Sequence, residues 1–406
     1  MTSPLDRLRR PIDPARHVAE VDGLRLLAIG AVVISHVIAF TVPRYERVAG
    51  EALESNALHS LTADGLRGVM LFFAISGFVL MLPFARAARD DGRVSIRGYF
   101  RRRLTRLEPP YLVTLLALFG LLILLDGWSA RDLGPHLLAG LPYAHVLAFG
   151  ARNPVNPLTW SLEVEVQFYL LMPVLAWSLL RLRPATRRVV LVAVIVALTG
   201  LQEASEWFLA PRIAMSLLGS FQFFAVGILA ADVYANELGE RPRVSRGWDL
   251  AFLVGLAMFV GTSHAAPGGS GVGLVIACGL LLTGALRGRR ARAVLRTPWI
   301  VVVGGMCYSI YLVHYQLWRG AWRATRSLVL PGLGFAPNVI VQLAIALPVI
   351  LAASAIVFVF IERPCMRRDW PERALTRLRK LRLPEVDRRV PSAVELSGEG
   401  AASQPT

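Results

Sequence analysis

Long apolar stretches separated by short, arginine-rich connections make up most of the chain. An α-helix of about 20 apolar residues crosses the ~30 Å hydrocarbon core of a bilayer. Ten stretches reach or approach this length: 24–42, 66–86, 109–126, 158–180, 188–203, 211–235, 249–263, 270–286, 298–318 and 336–361. The pattern predicts an all-α, polytopic integral membrane protein with about ten transmembrane helices.

One further apolar stretch, 133–149, is interrupted by Gly134, Pro135 and Pro142. Both residue types weaken the interior of a helix. Irregular backbone at membrane depth is tolerated only where protein buries it. We therefore predict an interfacial or re-entrant segment here and no additional span.

The positive charges are distributed unevenly between the two sides that ten spans define. The side of the amino terminus carries 34 of the 44 Lys and Arg residues, and the opposite side carries seven. Cytoplasmic loops of membrane proteins carry an excess of these residues. The asymmetry predicts an even number of spans with both termini in the cytoplasm.

The first twenty residues contain four arginines but no apolar run, so we expect no removable signal peptide. We expect a cytoplasmic amino-terminal segment over 1–20 and a single transmembrane domain over 21–365. The polar residues that follow, 366–406, predict a basic and partly disordered cytoplasmic tail.

The composition agrees with a lipid environment, since 55% of the residues are hydrophobic and only 18% are charged. The net charge of +16 lies in clusters between apolar stretches, which argues against nucleic acid as a partner. The three cysteines have no metal-ligand spacing, so we expect neither a disulfide nor a metal site.

The first span contains two ionisable residues, Arg25 and His36, eleven positions apart. Eleven residues are about three helical turns, so both side chains share one face, roughly 16 Å apart along the axis. Ionisable groups inside spans are costly and are functional candidates by default. The alternative is a snorkelling arginine and a histidine that bonds a neighbouring helix.

The fourth span contains Glu163 and Glu165. Positions two apart on a helix diverge by about 200°, so the two carboxylates cannot serve one small site equally. Glu165 falls at a depth similar to that of His36, and a carboxylate beside an imidazole would fix its tautomer. The alternative is a structural pair that joins two helices. His314, in the ninth span, falls at a similar level and could equally be a plain interfacial histidine.

Arg103 and Arg106 lie three residues apart before the third span, so they would share a helix face. Converging guanidinium groups can bind phosphate in a bidentate manner. The alternative is that this cluster only determines topology.

Six segments, in chain order, match one known family: Asp22–Arg25 with Ser35 and His36, Phe72–Phe78, Arg103 with Arg106 and Pro109, Trp160–Tyr169, Tyr308–His314, and Glu362–Pro364. Together they resemble acyltransferase family 3, the bacterial membrane O-acyltransferases. The resemblance covers about 20–365, and the ordered set is more specific than any single segment.

The resemblance implies ten membrane helices in the bacterial cytoplasmic membrane and an acyl-CoA donor, with acetyl-CoA the commonest. The acceptor would be a hydroxyl of a cell-surface polysaccharide or other glycan. His36, Glu165 and Arg25 would be catalytic, and Arg103 and Arg106 would bind the donor. Substrate binding or support of the site would fall to Ser76, Trp160, Ser161, Glu163, Tyr169, Tyr311 and His314. Glu163 departs from the small or polar residue that the family commonly has there.

Two alternatives stay open at this stage. One keeps the chemistry but changes the acceptor to a glycosylated secondary metabolite or a glycolipid. The other is a membrane transporter, because proton-coupled carriers also use buried His and Glu. The chain shows neither an internal repeat nor paired broken helices, which argues against a transporter.

Overall fold

The computed structural model describes residues 8–11, 17–49, 66–205, 210–238, 243–261 and 270–367, with Trp370, Glu372, Arg373 and Thr376 beyond. Within these residues the regular secondary structure is helical, apart from one isolated bridge between Ser245 and Gly288. The chain divides into two compact units, 1–367 and 368–406, and every helix below belongs to the first. Most of the predicted tail lies outside the described residues.

Fourteen α-helices of five residues or more follow one another in the described part of the chain. They are α1 (Ala19–Ala49), α2 (Leu66–Arg89), α3 (Ile96–Asp126), α4 (Ala130–Gly140), α5 (His145–Phe149), α6 (Trp160–Leu180), α7 (Pro184–Ala204), α8 (Phe221–Val233), α9 (Arg246–Gly261), α10 (Ser270–Arg287), α11 (Arg289–Leu295), α12 (Pro298–Gly305), α13 (Cys307–Thr325) and α14 (Phe335–Val357). A π-helical turn, Tyr234–Leu238, extends α8, and another, Phe358–Glu362, extends α14.

Six of the described helices are long and apolar enough to cross a membrane, namely α1, α2, α3, α6, α7 and α14 with its extension. A seventh span results if α12 and α13 are counted together, although they meet at an angle of 67°. The predicted spans 211–235, 249–263 and 270–286 correspond to the shorter helices α8, α9 and α10. The chain is thus an all-helical protein with several membrane-spanning helices, and the total of ten stays a prediction.

Glycine residues allow two pairs of helices to approach until their backbones are in contact. A Cβ atom on Gly77 of α2 would clash with the carbonyl oxygen of Phe224 in α8, and one on Gly227 would clash with that of Ala74. Gly304 of α12 meets the carbonyl oxygen of Asp22 in α1 in the same way. Such contacts drive helix association where lipid offers no hydrophobic gain.

The interrupted stretch folds back into the bundle. The turn between α4 and α5 places Tyr143 against Tyr111 of α3, with the ring centroids 4.3 Å apart, and the Tyr111 hydroxyl donates to the carbonyl of Gly140 at 2.8 Å. Tyr111 lies fifteen residues before the end of α3 at Asp126, roughly 22 Å along the helix axis. Contacts at this depth support a re-entrant segment over an interfacial one.

Tyr143, at the tip of this segment, has a φ of 58°. A bulky residue in the left-handed region carries strain, which persists only where surrounding structure fixes the conformation. The stacking on Tyr111 provides that fixation.

Candidate active site

A cavity of about 100 Å³ lies between α1, α2, α3, α6 and α13. Its polar and ionisable lining consists of Arg25, Ser76, Arg103, Arg106, Ser161, Glu165, Tyr169, Cys307, Tyr308 and Tyr311. Its apolar wall consists of Val69, Phe72, Phe73, Ile75, Val79, Leu80, Leu107 and Leu162. Eight of the predicted site residues therefore line one space, although they come from five separate sequence segments.

Glu165 is the carboxylate of this cavity. Ser76 of α2 donates to its Oε1 atom at 2.6 Å, and the Tyr169 hydroxyl, one turn further along α6, donates to the same atom at 2.5 Å. No described residue donates to Oε2 of Glu165. The carboxylate is thus held by two hydroxyl groups while one of its oxygens stays open to a ligand.

Three arginines, Arg25, Arg103 and Arg106, form what we call the arginine end of the cavity. Arg25 forms an ion pair with Asp22, one turn earlier on α1. The Arg106 guanidinium lies 3.7 Å from Oε1 of the buried Glu362, and that of Arg103 lies 5.7 Å from the ring centroid of Tyr169. The predicted shared face of Arg103 and Arg106 agrees with this placement.

Arg10 reinforces the arginine end from outside the cavity lining. Its Nη1 atom lies 2.9 Å from Oδ1 of Asp22, and its side chain is 8% exposed. Burial lowers the pKa of Arg10 to about 9, and the guanidinium of Arg106 adds to this effect. Positive charge crowded in this way favours an anionic ligand. Sequence reasoning missed Arg10 because it precedes the first span among other arginines of the same segment.

His36 pairs with the second histidine of the site. Its Nδ1 atom lies 3.2 Å from Nε2 of His314, and the ring centroids are 5.3 Å apart. Nδ1 of His314 lies 3.0 Å from the carbonyl oxygens of both Ile310 and Tyr311. Tyr315 meets the His36 ring edge-on, with centroids 5.9 Å apart.

The predicted contact between Glu165 and His36 is wrong. Glu165 turns toward Ser76 and Tyr169, and His36 turns toward His314, so the two side chains share no hydrogen bond. Hydropathy places a residue at a depth, but it does not fix how its helix is rotated against a neighbour. His36 also falls outside the residues that line the cavity.

Tyr311 and Ser161 line the cavity, and Tyr311 also contacts the histidine pair. The Tyr311 hydroxyl donates to the carbonyl of Leu158 at 2.7 Å, and its oxygen lies 2.6 Å from Oγ of Ser161. Tyr311 has one hydroxyl proton, so Ser161 is the donor in the second bond. The Tyr311 ring is also 6.1 Å from that of His314 by centroids, so one side chain borders both parts of the site.

Glu163 and Trp160 lie elsewhere. Glu163 is 1% exposed, and its Oε2 atom accepts a bond of 2.9 Å from the backbone N–H of Val146 at the start of α5. It therefore holds the re-entrant segment, which agrees with the predicted divergence from Glu165. Trp160 packs edge-on against Phe73, with centroids 6.4 Å apart, outside the cavity lining.

Among the described residues no group of three or more His, Cys, Asp or Glu could hold a metal.

Apolar helices that enclose a cavity lined by arginines, a hydroxyl-bound carboxylate and tyrosines define a membrane protein with an internal polar site. The family model for the acyltransferase domain, Acyl_transf_3, matches residues 18–361, and the chain belongs to this family. It is therefore a membrane O-acyltransferase, as the sequence predicted.

Relatives agree with this assignment. The chain is similar to acyltransferase MdmB of Streptomyces mycarofaciens, with 29% identity over 85% of the chain and 90% of that protein. It is also similar to O-acetyltransferase OatA of Staphylococcus aureus, with 25% identity over 49% of the chain and 31% of OatA. A putative O-acetyltransferase of Staphylococcus aureus strain COL is 26% identical over 41% of the chain, a match that spans 26% of that protein. No solved structure matches the chain.

Proposed function

We propose that the protein transfers an acetyl or other short acyl group from cytoplasmic acyl-CoA to a hydroxyl of a cell-surface polysaccharide or other glycan. It would act in the bacterial cytoplasmic membrane, with ten spans and both termini in the cytoplasm. One observation supports this proposal above the others. The same cavity is lined by the arginine end, by Glu165 and by Tyr311, and the Tyr311 ring also contacts His314 of the histidine pair.

The arginine end suits the phosphate groups of coenzyme A. Guanidinium groups bind phosphate oxygens in pairs, and three of them line the cavity beside the partly buried Arg10. The pantetheine arm would then extend along the apolar wall. The open Oε2 atom of Glu165 is a suitable acceptor for an amide N–H of that arm, so we assign Glu165 to donor binding.

His36 would act as the base in the transfer step. It removes the proton of the acceptor hydroxyl while the hydroxyl oxygen attacks the thioester carbonyl. The carbon–sulfur bond breaks, and the leaving thiolate takes up the proton from His36, which gives an ester and free coenzyme A. A covalent variant, in which a nitrogen of His36 first accepts the acyl group, uses the same residue and yields the same products.

For either route the thioester has to pass Tyr311 and Ser161. Tyr311 borders both the cavity and His314, so the exchange of its hydrogen bond with Ser161 for bonds to substrate would open the way. Hydroxyl groups there are also suitable donors to a developing oxyanion.

A hydroxyl acceptor is supported by relatives named as O-acetyltransferases. The choice of a glycan comes from the family resemblance of the sequence. The second candidate acceptor is a glycosylated secondary metabolite or a glycolipid. It stays open because MdmB, which is similar to the chain over 90% of its length, is named only as an acyltransferase and its name gives no acceptor. Membership of an acyltransferase family argues against the transporter alternative.

The test uses the purified full chain in lipid nanodiscs, with radiolabelled acetyl-CoA and methyl α-glucoside as the hydroxyl probe. We expect acetylated glucoside and an equal amount of free thiol from the wild type. H36Q should lower the rate at least ~100-fold, since general base catalysis contributes about 10²–10⁴-fold. H136Q, which alters a histidine of α4 away from the cavity, is the matched control. Wild-type rates in H36Q would refute the assignment.

A further inference from the structure

The protonation pattern of the histidine pair follows from its contacts. Nδ1 of His314 faces two carbonyl oxygens at 3.0 Å, those of Ile310 and Tyr311. Carbonyl oxygens only accept hydrogen bonds, so this nitrogen carries a proton. The ring is 1% exposed and contacts no carboxylate in the described part of the chain, which favours its neutral form. A neutral imidazole has one N–H group, so Nε2 of His314 is an acceptor.

The same reasoning determines which nitrogen of His36 carries the proton. Its Nδ1 atom lies 3.2 Å from the acceptor nitrogen of His314, and a hydrogen bond there requires a donor. Nδ1 of His36 therefore carries the proton. In the neutral ring its Nε2 atom keeps an unshared electron pair.

We propose that His314 is a positioning residue that holds His36 in the Nδ1–H tautomer and so presents Nε2 as the basic or nucleophilic atom. The inference rests on the proposed role of His36 in acyl transfer. In many hydrolases a buried carboxylate orients the catalytic imidazole. Here main-chain carbonyls and a second, neutral imidazole take that place, so no isolated charge has to be buried between the helices.

Nitrogen NMR tests the tautomer without any substrate. The full chain is labelled with ¹⁵N-histidine in lipid bilayers, and the signals of His36 are identified by their loss in H36Q. We expect the wild type to show a protonated Nδ1 and an unprotonated Nε2. In H314L the acceptor is gone, so the Nε2–H tautomer should gain population. A wild-type His36 with its proton on Nε2 would overturn the proposal, even if H314L does not fold.

Kinetics separate positioning from simple structural support. With acetyl-CoA and methyl α-glucoside, we expect H314L to lower kcat by about 10- to 100-fold, the loss also found when a metal-bound histidine loses the partner that orients it. The KM for acetyl-CoA should stay within about twofold, because the arginine end is untouched. H314Q should recover most of kcat, since its side-chain carbonyl can accept from Nδ1 of His36.

The outcomes distinguish this inference from the proposed function. Equal rates in H314L and the wild type, or a glutamine variant no better than leucine, would overturn the positioning role. Wild-type transfer by H36Q would refute the function, whereas the NMR result would still decide the tautomer. H136Q again serves as the control, because His136 pairs with His145 at 2.8 Å in a second histidine pair away from the cavity.

Discussion

Two carboxylates two residues apart on α6 have separate environments. Glu165 receives two hydroxyl donors at the cavity, and Glu163 receives a backbone N–H from α5. Their divergence was predictable, because helical geometry alone separates them by about 200°. Their partners were not, since Ser76 and Val146 come from distant parts of the sequence whose contacts depend on helix rotation and on how the re-entrant segment enters the bundle.

This difference predicts opposite phenotypes. E165Q keeps an oxygen for Ser76 and Tyr169 but loses its charge, so we expect near-wild-type thermal stability and at least ~10-fold weaker use of acetyl-CoA, in line with bonds to charged groups. E163A leaves backbone donors of α5 unpaired and should lower stability by about 1–3 kcal/mol. Thermal unfolding in detergent and thiol release measure the two effects. Equal loss of activity at equal stability in both variants would contradict this division.

At the scale of the helices, hydropathy predicts where the apolar helices lie along the chain, but it does not predict where a helix is broken. The predicted span 298–318 corresponds to α12 and α13, which meet at 67° around Met306. Gly304 and Gly305 precede the break, yet glycine pairs also occur in straight membrane helices. A contact between residues distant in sequence fixes α12 beside the break, because Gly304 packs on the main chain of Asp22. The bend matters for the site, since α13 carries both Tyr311 and His314.

Substitution at this contact should therefore be costly. In G304A the new methyl group meets the Asp22 carbonyl and forces α12 away from α1, which also carries Arg25. We expect a loss of about 1–3 kcal/mol or more, typical of overpacking, together with a higher KM for acetyl-CoA. Thermal unfolding and donor titration give the two values. G320A on α13, where nothing lies near the added atom, should be neutral or stabilise by up to about 1 kcal/mol. A stable and fully active G304A would show that the two helices can separate freely.

At the scale of the whole molecule, the arginine end lies at one end of the cavity, and the pair of His36 and His314 lies outside the cavity past Tyr311. The distribution of arginines predicts which end faces the cytoplasm, although it says nothing of the re-entrant segment whose tip packs on α3. The overall class follows from hydropathy alone, because lipid imposes long apolar helices. The internal arrangement needs the three-dimensional packing of helices.

Orientation can be measured with two single-cysteine variants. R93C and W128C place exposed thiols at opposite ends of α3, and the three native cysteines are buried. A membrane-impermeant maleimide should label W128C in intact cells and R93C only after lysis. Labelling of R93C in intact cells would invert the predicted topology. Labelling of both on the same side would show that α3 is not a simple span.

The hydrogen bonds between Tyr311, Ser161 and Leu158 have a consequence for the energetics of the cell. Both hydroxyl protons are committed to neighbouring oxygens, so this point offers no spare donor to a chain of water molecules. In the orientation proposed here, such a chain would conduct protons along the potential that a respiring membrane maintains. While these bonds hold, this point of the site gives protons no path between the two substrates.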